Sequence, residues 1–211
     1  MKINLLLYGG MTALDIVGPY EVLSRLPGAE VLFVAEKVGP VRADTGVLSL
    51  VADAALDEAL AADLVVVPGG RTPPLVPGVL HEWLRGADAV STWTASVCVG
   101  SLVLGAAGLL RGRRATSHWL TLDRLPFYGA VPVAERVVID GKYATGAGVS
   151  AGIDMALELV GRVAGPEVAQ SIQLGIEYDP RPPFSAGSPG AAPLPIVALL
   201  RRNRDMIVRL G

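Results

Sequence analysis

Thr92-Trp93-Thr94-Ala95-Ser96-Val97-Cys98-Val99-Gly100-Ser101 lies inside the longest uncharged run of the chain, which extends from Ala89 to Leu110 between Asp88 and Arg111. Its 22 residues could cross a bilayer. The interior is wrong for lipid, because it holds Ser91, Thr92, Thr94, Ser96 and Ser101 together with Gly100, Gly105 and Gly108. The first half is rich in β-branched and aromatic residues, whereas the second has helical character. This pattern predicts a buried strand that turns directly into a buried helix, with Cys98 at the turn. A nucleophile elbow needs small residues two before and two after the reactive side chain, since the backbone turns too sharply for larger ones. Ser96 and Gly100 hold those positions. Cys98 would then stand at a helix N-terminus, whose dipole favours a thiolate and lowers the thiol pKa. The Val99 N–H would face an anion forming on a substrate held over the sulfur. The other reading of the same residues is a buried cysteine acting as a small apolar group.

Outward from this unit, the chain alternates between strand and helix patterns. Ile3 to Tyr8, ended by Gly9-Gly10, and Leu64 to Val67, stopped by Pro68-Gly69-Gly70, read as strands buried on both faces. Ala29 to Ala35 is a further strand. Ala13 to Leu26 reads as helix, interrupted early by Gly18-Pro19, and Leu80 to Arg85 as a short helix. Val137 to Thr145 contains Asp140-Gly141 between β-branched residues, which predicts a hairpin with a type I′ turn. Ile153 to Val163 and Pro166 to Ile176 are helical, the second with proline in its first turn. Asp179 to Pro195 holds six of the sixteen prolines and predicts a rigid, extended wrap before a last helix from Ile196 to Leu210. The arginines of that helix, Arg201, Arg202, Arg204 and Arg209, read as a solvated face rather than a nucleic-acid surface. The alternation predicts one α/β domain over residues 1–211 with a mainly parallel sheet.

The composition narrows the function. Of 211 residues, 51% are apolar and 18% charged, and 18 basic side chains against 20 acidic leave a formal charge of −2. With a mean hydropathy of +0.48, this excludes disorder and a polybasic surface for nucleic acid or membrane. One cysteine excludes an internal disulfide and a Cys-rich zinc site, and two histidines, His81 and His118, argue against a His/Cys metal cage. Met1 to Tyr8 is too short for a signal-peptide core and lacks a cleavage site, which predicts a cytoplasmic protein.

Several segments could serve the thiol. Pro68-Gly69-Gly70 ends a central strand, where parallel sheets place their ligand crevice, and its N–H groups could complete an oxyanion hole or simply form a turn. Asp15 sits among apolar neighbours after the first strand. Its carboxyl could be desolvated and held protonated for general acid work, or it could cap a helix. His118 could approach the same crevice or be a hydrogen-bonded core histidine. Gly148-Val149-Ser150-Ala151-Gly152 spells a serine nucleophile motif, but no histidine follows Ser150 to act as its base. The overlapping Gly146-Ala147-Gly148-Val149-Ser150-Ala151 follows a hairpin rather than opening an early βαβ unit, so a dinucleotide site is disfavoured. The segment reads as structural.

These residues together resemble the ThiJ/PfpI (class I glutamine amidotransferase-like) superfamily, and within it the isonitrile hydratases. The resemblance rests on Asp15-Ile16-Val17-Gly18-Pro19-Tyr20-Glu21, Val67-Pro68-Gly69-Gly70, Ser96-Val97-Cys98, Ala115-Thr116-Ser117-His118-Trp119, Ser150-Ala151-Gly152-Ile153-Asp154 and Glu177-Tyr178-Asp179-Pro180. It implies a flavodoxin-like α/β/α sandwich, a homodimer, and hydration of a small-molecule isonitrile to a formamide without metal or cofactor. It further implies Cys98 as nucleophile, Asp15 as proton donor, and Gly70 and Val99 as orienting backbone groups. The hydratases resembled here carry threonine after the nucleophile, where this chain has Val99. The proteolytic branch carries histidine there, so a Cys–His protease is disfavoured. The N-terminal domains of AraC-type regulators are similar too, but they continue into a DNA-binding domain, whereas this chain ends at Gly211. A ligand- or redox-sensing module is therefore the alternative expectation.

Overall fold

The computed structural model describes residues 1–59 and 61–210; Gly211 lies outside them. Six strands form the parallel part of one sheet: β1 (Lys2–Leu6), β2 (Glu30–Ala35), β5 (Ala54–Ala55), β6 (Leu64–Val67), β7 (Trp93–Val97) and β11 (Tyr143–Gly146). Between β2 and β5 lies a separate hairpin of β3 (Gly39–Arg42) and β4 (Ser49–Ala52). Two short strands, β8 (Arg114–Ala115) and β9 (Val131–Pro132), pair with each other, and β10 (Val137–Asp140) and β11 (Tyr143–Gly146) return to the main sheet. The seven-stranded order is β10-β11-β7-β6-β1-β2-β5. Every neighbouring pair is parallel except β10 with β11.

Leu64, Val65, Val66 and Val67 are all buried, as an apolar run in a strand covered on both faces requires. The covering helices are α1 (Ala13–Leu23), α2 (Val79–Val90), α3 (Gly100–Ala106), α4 (Ala151–Ala164) and α5 (Pro166–Gly175), followed by α6 (Leu194–Arg202) and α7 (Arg204–Ile207). α1 packs on α4 and α4 on α5, whereas α2 packs on α3. The result is the expected flavodoxin-like α/β/α sandwich with a mainly parallel sheet. The 22-residue uncharged run divides into the end of α2, β7 and α3, and no helix among the described residues is long and apolar enough to cross a membrane.

Four expectations are corrected. Gly18-Pro19 does not interrupt α1, which is continuous from Ala13 to Leu23. A Cβ on Gly18 would lie 3.1 Å from Ile153 Cγ1, and Pro19 Cδ stands 3.1 Å from the corresponding position on Gly152. Close packing of α1 on α4 therefore repays the missing proline N–H. α2 reaches Val90 rather than Arg85, because Leu80, Trp83, Leu84 and Ala87 keep one face buried. At the hairpin only Gly141 has positive φ (61°), and the turn residues are Gly141 and Lys142, since Asp140 still pairs with Tyr143. A type I′ turn needs two positive φ values, so this turn is of the II′ kind. The last helix does not run to Leu210. It breaks at Asn203, and the chain is extended from Val208, which is 1% exposed. Burying Val208 and donating the Arg209 N–H to the Arg71 carbonyl (2.6 Å) wins over another helical turn.

Candidate active site

Four adjacent, mutually parallel strands bring their carboxyl ends to one place. β1 leads to Tyr8–Thr12, β6 to Pro68–Gly70, β7 to Cys98, and β11 to Ala147–Val149. This is where open parallel sheets bind ligands. Cys98 stands directly after β7 with φ of +59°, a left-handed conformation that costs a side-chain-bearing residue about 1–2 kcal/mol. The neighbours hold it there. Its N–H is shared between the carbonyls of Gly146 (3.0 Å) and Ala147 (2.8 Å), and its carbonyl accepts the hydroxyls of Ser101 and Ser117, each at 3.2 Å. Small flanking residues are needed as expected: a Cβ on Gly100 would stand 2.3 Å from the Val67 carbonyl oxygen.

Asp15 is not a helix cap. Thr12 holds the N-cap position of α1, and the Asp15 carboxyl points into the protein, fully buried. One oxygen, Oδ2, accepts the Gly69 N–H at 2.8 Å, and the other has no hydrogen-bond partner among the described residues. The Cys98 side chain lies close enough to the same carboxyl for each group to shift the other's titration. Gly69 packs against all three parts of the site. A Cβ there would lie 2.6 Å from Val99 N, 2.8 Å from Asp15 Oδ2 and 2.9 Å from Cys98 Cβ.

Burial pushes the Asp15 carboxyl up from 3.8 to about 7; the Gly69 N–H opposes the rise and the charge of Asp44 adds to it. Burial, and then the Asp15 charge, push the Cys98 thiol well above its usual 9.0. This corrects the expectation of a dipole-stabilised thiolate. α3 begins only at Gly100, after the sulfur-bearing residue, and the N–H groups of Val99 and Val149 that face the sulfur offset only part of the desolvation. The resting pair is a thiol beside a carboxyl that titrates near neutrality.

The segment around Ser150 is also more than structural, since Val149 lines the cavity with Cys98 and its N–H lowers the thiol pKa. Its loop is clamped from outside. Arg136 accepts the Ala147 N–H on its carbonyl (2.8 Å) and places its guanidinium on Asp154 Oδ2 (2.5 Å) and Ser150 Oγ (3.3 Å). The Tyr178 hydroxyl closes on Asp154 at 3.2 Å.

Cys98, Gly70, Val149 and His118 line a cavity of about 260 Å³, together with Thr12, Asp44, Thr45, Arg71 and residues 206–208. His118 is thus both a core histidine and a cavity residue: Nδ1 accepts the Leu120 N–H (3.3 Å), and burial lowers its pKa. The reading of the sequence missed Tyr8, whose buried hydroxyl donates to the Pro68 carbonyl at 3.1 Å, and Asp44, which accepts the Thr12 hydroxyl at 2.7 Å. Tyr8 could have been found from its place at a strand's carboxyl end. Asp44 could not, because it arrives from the β3–β4 hairpin.

An acidic residue after β1, a glycine pair after β6 and a strained cysteine after β7 are arranged on a scaffold whose family model matches residues 1–162. The chain belongs to the DJ-1/PfpI family. It is 43% identical to the isonitrile hydratase of Pseudomonas putida over 100% of its own length and 92% of that protein. It is also 38% identical to the HTH-type transcriptional regulator CdhR of Pseudomonas aeruginosa, over 64% of this chain and 40% of the regulator. Among solved structures, a ThiJ/PfpI family protein from Pseudomonas syringae superposes with a TM-score of 0.92 at 39% identity, covering 96% of this chain and 85% of that one. This DJ-1/PfpI chain therefore shares its architecture with both catalytic and regulatory relatives.

Proposed function

We propose that the protein is a cysteine-dependent isonitrile hydratase, converting R–N≡C and water into the formamide R–NH–CHO. The observation that carries this reading is the fully buried Asp15 carboxyl, which packs with Cys98 around Gly69 and whose pKa burial raises to about 7. Such a group can both take and give a proton at neutral pH. Sulfur bonds to the terminal isonitrile carbon while the thiol proton travels through Asp15 to that carbon, giving the thioimidate R–N=CH–S–Cys98. Water then adds to the same carbon. One of its protons goes to nitrogen and the other, through Asp15, to sulfur as the C–S bond breaks. The formamide leaves and the thiol is restored. Because Asp15 removes the proton as sulfur attacks, the raised thiol pKa is no obstacle, and the fixed geometry supplies much of the acceleration. Gly70 and Val99 orient the intermediate through their N–H groups, and His118 contacts the substrate. The active form in this reading is a cytoplasmic homodimer, which light scattering on the purified protein checks.

Incubation with an alkyl and an aryl isonitrile, followed by NMR, should show formamide from the parent protein and none from Cys98→Ala. No formamide from the parent at high enzyme concentration would refute the proposal. The similarity to CdhR over 64% of the chain favours a second reading, a ligand-sensing module. That reading predicts saturable binding with no product.

A further inference from the structure

Three N–H donors around the Cys98 cavity have no acceptor among the described residues. The Gly70 N–H is one. Its neighbours form a bridge to the first loop, Arg71 N–H to Gly10 O (3.1 Å) and Thr12 N–H to Gly69 O (3.0 Å), while the Gly70 N–H between them donates to neither backbone nor side chain. Arg71 Nε is the second. It is buried without a partner, and the Arg71 guanidinium takes part in none of the ion pairs of the described residues. The third is His118 Nε2. Because Nδ1 accepts a backbone N–H and burial keeps the ring neutral, the proton must sit on Nε2. All three residues line the same space as the sulfur.

A buried donor without an acceptor is costly, and three residues with unengaged donors on one cavity fit a ligand rich in acceptor oxygens. Arginine adds a positive charge and a planar fork suited to a carboxylate. The backbone of Arg71 is held on both sides, its N–H on Gly10 O and its carbonyl under the Arg209 N–H, so the side chain projects from a fixed wall. The acceptor facing the cavity, Asp44, is already engaged by the Thr12 hydroxyl. At about 260 Å³ the space is below the roughly 300–1,000 Å³ of drug-sized sites, so the ligand is small. We propose that this cavity contains an anion subsite in which Arg71, with His118 Nε2, holds the carboxylate of a small substrate whose reacting carbon meets Cys98, leaving the Gly70 N–H to the intermediate. Resting on the hydratase reading, this makes the substrate a small carboxylate-bearing isonitrile.

Alkylation of Cys98 tests the subsite independently of that reading. Iodoacetate and iodoacetamide both form the S–CH₂ bond and release iodide, and they differ in charge. We expect the iodoacetate-to-iodoacetamide rate ratio at Cys98 to exceed that of N-acetylcysteine at the same pH by about tenfold. Arg71→Gln should bring it within about twofold of the small thiol, and Arg71→Lys should retain part of it. A parent ratio no higher than the small thiol's, or one unchanged in a folded Arg71→Gln variant, would overturn the subsite. If Arg71→Gln does not fold, Asp44→Asn replaces it. Removing that like charge should raise the ratio, and an unchanged ratio overturns the proposal. In turnover, isocyanoacetate should be preferred over its methyl ester at least tenfold, and the reverse preference rejects the substrate class. Turnover of neither, with the alkylation preference intact, rejects the hydratase reading and leaves the anion subsite supported.

Discussion

Replacing Asp15 by asparagine should make the protein more stable and less active at the same time. The side chain keeps its shape, and an amide oxygen can still accept the Gly69 N–H that reaches Oδ2 at 2.8 Å. What disappears is the ionisable group. In the folded protein the carboxyl is raised from 3.8 to about 7, so the folded state holds its proton more tightly than the unfolded chain. Its contribution to stability is therefore complete below about pH 4 and is lost progressively as the pH rises to 7. At about 1.4 kcal/mol per pH unit of displacement, the full loss is on the order of 4 kcal/mol. Denaturant titrations of the parent and Asp15→Asn at pH 4.5 and 8 would read the difference. The variant should gain on the parent by about 2–4 kcal/mol between the two conditions while losing turnover. A stability gap that does not move with pH, or a variant less stable than the parent at pH 8, would refute the assignment. The first outcome is the one expected of a carboxylate that only caps a helix, because asparagine caps about as well as aspartate.

Three further outcomes follow from the same geometry. Gly69→Ala forces a methyl group into contacts of 2.6–2.9 Å with Val99 N, Asp15 Oδ2 and Cys98 Cβ, so it should cost about 1–3 kcal/mol in chemical denaturation and remove turnover; normal stability with normal turnover would contradict it. Val99→Thr restores the hydroxyl of the resembled hydratases without moving the backbone N–H, and formamide production should rise, with an unchanged rate rejecting a role for the hydroxyl. Arg136→Ala releases the loop that carries Val149 and should slow Cys98 alkylation severalfold at neutral pH, with partial recovery in Arg136→Lys; a lower melting temperature with an unchanged alkylation profile would make the clamp structural alone.

The strand–turn–helix unit at Cys98 was legible because its requirements are local. A run of β-branched residues with small side chains two before and two after the cysteine is a consequence of one sharp bend. The same holds for β1, β6 and the hairpin, whose apolar runs end at glycine or proline. Asp15 was legible as a candidate only, since a carboxylate in a first helical turn serves equally as cap or as acid. Its neighbours in space, Gly69 and Cys98, are 54 and 83 positions away. Where the last helix ended was misread because Arg201 to Arg209 has a helical pattern, and the burial of Val208 against the core is set by contacts with distant elements.

By itself, then, the sequence determined the layer architecture, the sharp turn at Cys98 and the shortlist of polar groups at strand ends, because each depends on neighbours within a few residues. Only the tertiary structure decided the protonation of that shortlist. Burial from all sides makes the thiol a resting acid rather than an anion, lifts Asp15 to about 7, and brings in Val149, Arg71 and Asp44 from separate loops. Desolvation is a property of everything packed around a group, and no local pattern of residues encodes it.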